Sequence, residues 1–186
     1  MKRQISIFAT LAMLLCVALV LSNEAQGDAP SKSDATRSAE QEARQKRRAE
    51  RLAAYEHHID SIVLSHNFRF MPETMQQLPA GMMRTLANPH YEITVWNEAV
   101  DVCIPFLKGY TPPYYPVVFN YVLPSVDNYY AEQTNDGWNV TFKSTLFSAT
   151  EYTFTFEIYS RYGGAMLTIS SPFYNSVQYN GTILGL

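Results

Sequence analysis

The histidine residues of this sequence are its first candidates for metal ligands. His57 and His58 are adjacent, so on a helix their side chains point about 100° apart and cannot share one ion. His66 lies eight residues beyond His58, and His90 stands alone just before a predicted strand. Neither the H-E-x-x-H spacing nor a Cys-His spacing typical of zinc sites occurs in the sequence. We therefore expect no metal site and no cofactor.

Paired carboxylates, a common source of acid and base catalysis, are spaced too widely here to act together. Glu151 and Glu157 are six residues apart, which in a strand corresponds to about 20 Å. The two carboxylates of a glycosidase need to lie about 5 to 9.5 Å apart. Glu132 and Asp136 are separated by a turn signal. We interpret these acidic side chains as solvated groups that protect strand edges from aggregation.

Nucleophilic residues also lack the surroundings that would activate them. The G-x-S-x-G turn of serine hydrolases does not occur in the sequence, and Ser170-Ser171 falls in a predicted strand. Cys103 is predicted to face Glu92 across a hairpin, and a neighbouring carboxylate disfavours the reactive thiolate. We interpret Cys103 as a small packing residue and expect no catalytic residues and no enzyme activity.

An aromatic, proline-rich segment at residues 105–116 is the best candidate for a binding surface. It contains four prolines, which disfavour a central strand and restrict the backbone, so a loop here could present rigid side chains at low entropic cost. Tyrosine combines an apolar body with a polar tip, as is common where proteins meet partners. We predict a binding surface formed by Phe106, Tyr110, Tyr114 and Tyr115. The alternative is that these rings close one end of the β-rich domain.

The sequence begins with the pattern of a signal peptide. Lys2 and Arg3 precede an uncharged apolar stretch, Ile5 to Leu21, and small residues follow it. The stretch has 17 residues, which is short for a membrane-spanning helix. Cleavage would remove Lys2, Arg3 and Glu24 and change the net charge from −3 to −4. We therefore predict export to the periplasm or the medium, no integral membrane segment after cleavage, and no nucleic-acid binding.

Behind this signal peptide, at residues 1–25, we predict a flexible tether at 26–37 and a charged helical arm at 38–66. Ser38 and Gln41 have the spacing of a capping box. An apolar stripe at helical spacing follows, formed by Leu52, Tyr55, Ile59 and Ile62. Because the positions in line with this stripe before Leu52 are polar, we expect only the second half of the helix to dock on the domain that follows.

Residues 67–186 change to a period of two, which is typical of β-strands. Three turn signals between alternating segments predict three antiparallel hairpins, at Asn97-Glu98, Asp136-Gly137 and Gly163-Gly164. In the first hairpin Val95 should face Val100, and in the second Glu132 should face Thr141. We therefore predict a mainly β fold, an antiparallel meander that forms a small barrel or sandwich after one N-terminal α-helix.

Several short motifs occur in a characteristic order. They are Phe68-Arg69-Phe70 after a basic helix, Ile104-Pro105-Phe106 after a hairpin, and a final alternation of Val177, Tyr179, Gly181 and Ile183. Together they resemble the domain-of-unknown-function family 4251, found in exported proteins of Bacteroides-like Gram-negative bacteria. The resemblance spans roughly residues 40 to 185 and implies a lipocalin-like fold and a cell-envelope or secreted location, but no activity. One departure is Ile104, where the family favours Leu before the proline.

The function favoured by these observations is binding rather than catalysis. Predicted core-facing positions hold Val, Ile, Phe, Leu and Tyr, which leaves little room for a catalytic polar cluster. We expect a non-enzymatic binding or interaction module that takes a small apolar ligand or an envelope protein on its aromatic loop. A structural or assembly role, with the helical arm as the contact, is the alternative, and a hydrolase of envelope material is less favoured. The sequence does not define the oligomeric state.

Overall fold

The computed structural model describes residues 32–109, 115–146 and 150–186. Within them, one helix, α1 (Lys32–Leu64), precedes ten strands. The strands are β1 (Asn67–Gln77), β2 (Arg84–Thr85), β3 (Glu92–Trp96), β4 (Ala99–Lys108), β5 (Tyr115–Leu123), β6 (Asp127–Gln133), β7 (Gly137–Leu146), β8 (Thr150–Tyr159), β9 (Gly164–Ser171) and β10 (Tyr174–Gly185). The prediction of a mainly β fold preceded by one helix is confirmed.

The strands form a single curled antiparallel sheet, a half-barrel. Their spatial order is β5-β4-β3-β1-β10-β9-β8-β7-β6, and the short β2 pairs with β1. Every neighbouring pair is antiparallel, and β1 pairs with β10 at the centre. The two edge strands, β5 and β6, follow each other in the chain but do not pair within the described residues. The sheet therefore consists of two meanders, β1-β3-β4-β5 and β6-β7-β8-β9-β10, joined by the pairing of β1 with β10.

The hydrophobic core lies on the inner face of this half-barrel, where alternate side chains of each strand point. Phe68 and Phe70 of β1 are fully buried, and both rings meet the Phe156 ring of β8 edge to face, at 5.6 and 5.5 Å between centroids. Such T-shaped contacts add to the stabilisation from burial alone. The central strand and the β8 strand are therefore held together through the interior as well as through the sheet.

The first hairpin has the predicted facing residues, because Val95 pairs with Val100. In the third hairpin Phe156 pairs with Leu167 on the core-facing side, but the turn lies between Tyr159 and Gly164 and not at Gly163-Gly164. The second hairpin differs from the prediction, because Glu132 pairs with Asn139 instead of Thr141. The turn lies at Asn135-Asp136, one residue earlier than predicted, since the Thr134 amide donates to the Gly137 carbonyl at 2.8 Å and closes the hairpin there. The shift is two residues, so every side chain keeps its predicted face.

Pro105 lies in a strand, and the predicted loop over residues 105–116 is therefore shorter than expected. β4 continues to Lys108, and β5 begins at Tyr115. Pairing of β4 with β3 ends at Cys103, so at Pro105 only β5 is a ladder partner. A proline, which lacks an amide hydrogen, is tolerated where a strand has only one neighbour.

Helix α1 begins earlier than predicted. It includes Lys32, six residues before Ser38, and residues 32–37 contain neither Gly nor Pro to prevent helix formation. The part of the predicted tether before Lys32 lies outside the described residues. The helix ends at Leu64, and His66 then turns the chain with a φ of 54°. Within the described residues, no helix is long and apolar enough to cross a membrane.

The chain divides into two compact units, of which the first includes the described residues 32–48 and the second is Ala49–Leu186. In the second unit, the end of α1 docks on the half-barrel through Ile59 and Val63, which are 1% and 0% exposed. Leu52, from the predicted stripe, remains 44% exposed. Docking of the second half of the helix is therefore confirmed, but the contact is concentrated in its last two turns.

Candidate functional site

The ends of two hairpins lie close together at one end of the half-barrel, which we call the aromatic end (Lys108, Phe173 and Tyr174). In the first of them, the β4–β5 ladder ends with the pair Lys108 and Tyr115. The β9–β10 hairpin turns at Pro172-Phe173, between the paired residues Ser171 and Tyr174. The Lys108 ammonium lies 5.6 Å from the centre of the Tyr174 ring. This cation–π contact places the two hairpins side by side.

The aromatic end exposes an aromatic ring beside a positive charge. Phe173 is 58% exposed at the tip of its hairpin, whereas Lys108 and Tyr174 are half-buried. The Phe173 amide donates to the Ser171 hydroxyl at 3.2 Å, which helps to fix the turn. An exposed ring held on a turn of this kind offers an apolar contact at low entropic cost.

The base of the β4–β5 loop is anchored from the central strand. The Gln77 side chain is 2% exposed, and its amide nitrogen donates to the carbonyls of Leu107, at 3.4 Å, and Gly109, at 3.1 Å. These bonds satisfy backbone groups at the point where β4 leaves the ladder. The end of β1 therefore determines where the loop departs.

A cluster of aromatic rings fills the interior at the aromatic end. Phe106 stacks on Phe119 with 4.5 Å between ring centroids, and Tyr152 meets both rings edge to face, at 5.8 and 5.2 Å. Phe106 has no exposed surface. This predicted site residue is thus part of the core that supports the aromatic end, as in the alternative interpretation of the loop.

Tyrosine hydroxyl groups in the same interior are held in their neutral form. Burial raises the pKa of Tyr179 well above its usual range, and the nearby Tyr121 raises it further. Burial also raises the pKa of Tyr152, with a smaller contribution from Tyr174. The Tyr179 hydroxyl donates to the Pro105 carbonyl at 2.6 Å. Both phenols are therefore protonated at neutral pH, and the Tyr179 hydroxyl is a hydrogen-bond donor.

The other predicted site residues are located as follows. Tyr110 and Tyr114 lie outside the described residues. Tyr115 is the first residue of β5, opposite Lys108, and its side chain is also outside the description. The sequence interpretation did not include Phe173 and Tyr174, because the contact between their hairpin and the β4–β5 hairpin joins segments about 65 residues apart. The Ser-Pro-Phe turn was the only local signal for them.

A second polar cluster lies at the opposite end, between α1 and the β6–β7 turn. One oxygen of Asp60, Oδ1, accepts hydrogen bonds from the Trp138 indole at 2.7 Å and from the Ser160 hydroxyl at 2.9 Å. Glu56 and Arg161 form an ion pair at 3.7 Å beside it, on the wall of a cavity of about 180 Å³. Both hydrogen bonds join the helix to the sheet. The cluster therefore has a structural role in docking α1.

Metal ligands are not clustered in the part of the chain that the structure describes. There, no group of three or more His, Cys, Asp or Glu side chains could hold an ion. Cys103 is half-buried and faces Glu92 across the β3–β4 hairpin, as predicted. At the aromatic end, the described residues offer apolar and aromatic contact beside the Lys108 ammonium.

Comparison with known proteins identifies relatives at the level of the family and the fold. A family model described as "Domain of unknown function (DUF4251)" matches residues 50–183. The crystal structure of a DUF4251 family protein from Bacteroides eggerthii superposes with a TM-score of 0.55 at 14% identity, covering 72% of this chain and 89% of that chain. A search of curated proteins found no match.

Proposed function

Because the chain belongs to the DUF4251 family of domains of unknown function, we propose its function from the geometry of the aromatic end: it is an exported, non-enzymatic binding module. The surface presented there takes a small apolar ligand, or the apolar part of an envelope protein. The single observation that carries the proposal is the exposed Phe173 ring, on a hairpin joined to the β4–β5 hairpin by the contact of Lys108 with Tyr174.

Rigidity supports binding at this end. Gln77 holds the backbone at Gly109, just after β4, through a hydrogen bond. The stacked rings of Phe106 and Phe119 fill the core at the same end. A ligand that lands on such a platform orders few additional side chains, so less of its binding energy is lost to entropy. Lys108 would favour an apolar ligand that carries a negative charge.

The sequence prediction extends this surface. Tyr110, Tyr114 and Tyr115 belong to the loop, or border it, between the anchored Gly109 and the first paired residue of β5. We propose that their rings join Phe173 in binding. Tyrosine and phenylalanine supply large contact areas for few rotatable bonds, which suits a recognition surface.

Export is part of the proposal and is supported by the N-terminal sequence. The basic pair Lys2-Arg3, the apolar stretch from Ile5 to Leu21 and the small residues after it have the composition of a cleaved signal. Mass spectrometry of the protein purified from a Gram-negative host should find an N-terminus between Gln26 and Asp28. An intact Met1 in a cytosolic fraction would contradict export.

A structural or assembly role is the second candidate. The observation that favours it is that every described side chain from 36 to 48 in α1 is exposed, which leaves a charged helical surface open to contact. Deletion of residues 26–48 should abolish assembly under this alternative and leave ligand binding at the aromatic end unchanged.

The binding proposal can be tested with a fluorescent apolar anion, 8-anilinonaphthalene-1-sulfonate, titrated into the purified protein. We expect one saturable site, with an affinity at least about tenfold weaker in Phe173→Ala, because a central aromatic contact contributes roughly 1.4 kcal/mol or more. Lys108→Ala should weaken binding of the anion, and sodium chloride should weaken it in the wild type but not in this variant.

The matched control is Tyr130→Ala, which removes an equally exposed ring from edge strand β6, at 60% exposure. This variant should bind the dye as the wild type does. Phe173→Ala and Tyr130→Ala should melt within a few degrees of the wild type, because both changed rings are exposed. Equal weakening by Phe173→Ala and Tyr130→Ala, or unsaturable binding by the wild type, would contradict a binding site at the aromatic end.

A further inference from the structure

Edge strand β5 has neither a charged side chain nor a bulge, two features that usually prevent sheet edges from pairing with other chains. It pairs with β4 on one side, and in the described part of the chain no strand pairs with its other side. Proteins guard such edges with charged side chains and bulges. The opposite edge, β6, has both, with Asp127, Glu132 and an irregular register near Tyr130. Residues 115–123 contain no charged residue.

The sequence of β5 is nearly symmetric about its central residue. Residues 116–124 read Pro-Val-Val-Phe-Asn-Tyr-Val-Leu-Pro, with Asn120 in the middle. Reading outward from Asn120, each step meets two residues of one class: two aromatic rings, two valines, two aliphatic chains and two prolines. An antiparallel pair of two such strands, with a two-fold axis at Asn120, therefore places every residue opposite one of its own kind.

The outer face of β5 offers these matched residues to solvent. Val118 is 53% exposed and Val122 is 61% exposed, and Asn120 between them is also exposed. In the symmetric pair, Val118 of one copy would face Val122 of the other on this face. Facing aliphatic side chains stabilise an antiparallel pair. The two Asn120 side chains would face each other and can exchange amide hydrogen bonds.

We propose that β5 is a dimerisation edge, at which two copies of this chain pair in antiparallel register about Asn120. The symmetry of the strand is the reason for choosing a second copy as the partner, because a different protein would not require a pattern that matches itself. A two-fold interface of this type uses the same patch on both subunits. The inference is independent of the binding function proposed for the aromatic end.

The two prolines select one register for this dimer. Proline has no amide hydrogen to donate, so Pro116 and Pro124 limit the paired segment to residues 117–123. A slip by two residues would bring the same proline of each copy, Pro124 or Pro116 depending on the direction, opposite a residue of the paired segment. A slip by one residue would turn the core-facing side of one strand toward the solvent side of the other. The pairing of residue 120 with itself is thus the specific claim to test.

Disulfide trapping tests this register directly. Asn120→Cys should be made in a Cys103→Ser background, because Cys103 is the direct partner of Asn120 within the subunit and could otherwise capture the new thiol. In the proposed dimer the two introduced thiols lie opposite each other, with Cα atoms about 4.5 to 5.5 Å apart, within the range of a disulfide. We expect a covalent dimer on oxidation.

Val118→Cys in the same background is the matched control. Its two copies would be about 13 Å apart along the strands, too far to bridge, whereas a mixture of Val118→Cys and Val122→Cys proteins should form a mixed disulfide. Asn120→Cys should give at least about fivefold more covalent dimer than Val118→Cys. Equal amounts from both variants would overturn the proposed register.

Sedimentation of the unmodified protein tests the dimer itself. The wild type should show concentration-dependent dimerisation, and the double variant Val118→Lys and Val122→Lys should be monomeric, because it places lysines opposite lysines. Both replaced side chains are exposed, so the melting temperature extrapolated to low concentration should change little. A wild type that is monomeric at all concentrations, or a lysine variant that dimerises equally well, would overturn the proposal.

Discussion

The indole nitrogen of Trp138 lies 2.7 Å from Oδ1 of Asp60, and this hydrogen bond joins the start of β7 to the docked end of α1. The same carboxylate oxygen accepts from Ser160, at the end of β8. One acidic side chain on the helix thus holds two neighbouring strands. Ile59 and Val63 bury apolar surface between the helix and the sheet, while the two hydrogen bonds of Asp60 fix the orientation of the helix on the sheet.

Asp60→Ala should destabilise the protein by about 2 to 3 kcal/mol, because it leaves two partly buried donors without their acceptor. Asp60→Asn retains an oxygen acceptor and should cost less. Glu56→Ala is the control, since it removes a more exposed carboxylate from the same helix. Urea denaturation measures all three. If Glu56→Ala lowers the free energy of unfolding as much as Asp60→Ala does, the destabilisation does not come from the two hydrogen bonds of Asp60.

The two halves of α1 should respond differently to substitution. Ile59→Asp buries an unpaired charge and should cost more than about 3 kcal/mol in the free energy of unfolding. Arg44→Ala and Arg48→Ala lie at exposed positions and should each change it by less than about 0.5 kcal/mol. Thermal or chemical denaturation checks this. Comparable losses in both halves would mean that stability depends on the full length of the helix.

Phe106→Ala and Phe173→Ala separate core from surface at the aromatic end. Phe106 is fully buried and stacked on Phe119, so its truncation should cost about 3 to 5 kcal/mol. Phe173→Ala should cost less than about 1 kcal/mol while weakening dye binding. Tyr114→Ala and Tyr115→Ala then classify the loop: a large loss of stability assigns these rings to the core, and a loss of binding alone assigns them to the surface.

Stability should fall at alkaline pH because tyrosines are buried. Burial raises the pKa of Tyr129 to about 12 from its usual value of 10.0. Between these two values the unfolded chain has released this proton and the folded chain still holds it, so the free energy of unfolding decreases as pH rises. The full contribution of Tyr129 is present below pH 10 and is lost as pH approaches 12.

Tyr129→Phe should therefore lose less stability than the wild type between pH 9 and about pH 11.5. Part of the loss should persist, because burial also raises the pKa of Tyr121 and Tyr179. Tyr130→Phe, at the exposed neighbouring position, is the control and should follow the wild type. Urea titrations at the two pH values measure the effect. If the free energy of unfolding falls with pH as steeply in Tyr129→Phe as in Tyr130→Phe, this account is contradicted.

Local periodicity predicted most of the strands, because alternation of apolar side chains is a property of each segment alone. The facing pair Val95 and Val100 followed from a turn of known length. The register of the second hairpin did not, since the bond between the Thr134 amide and the Gly137 carbonyl places the turn at Asn135-Asp136, one residue earlier than predicted. Pro105 was wrongly assigned to a loop, because its tolerance depends on how far β3 extends beside it.

The aromatic end was only partly predictable for a related reason. Its β4–β5 half was visible in the sequence as an aromatic, proline-rich stretch. The contribution of Tyr174 depends on sheet order, which brings distant hairpins together. The anchoring of the loop by Gln77 likewise depends on a neighbour in space from β1, about 30 residues earlier. Spacing within one segment contains no information about such contacts.

The central pairing of β1 with β10 has a consequence for how the chain could be rearranged. The spatial order of the long strands runs from β6 through β10 to β1 and on through β5. If the two ends of the chain were joined, each long strand would therefore lie beside the next long strand in sequence. Phe68 pairs with Gly185, so a short linker could join the last strand directly to the first. New termini in the short connection between β5 and β6, with α1 moved to one end, would make every main strand pair local. Such a circular permutant keeps the same contacts at a much lower average sequence separation, and should fold faster than the natural order.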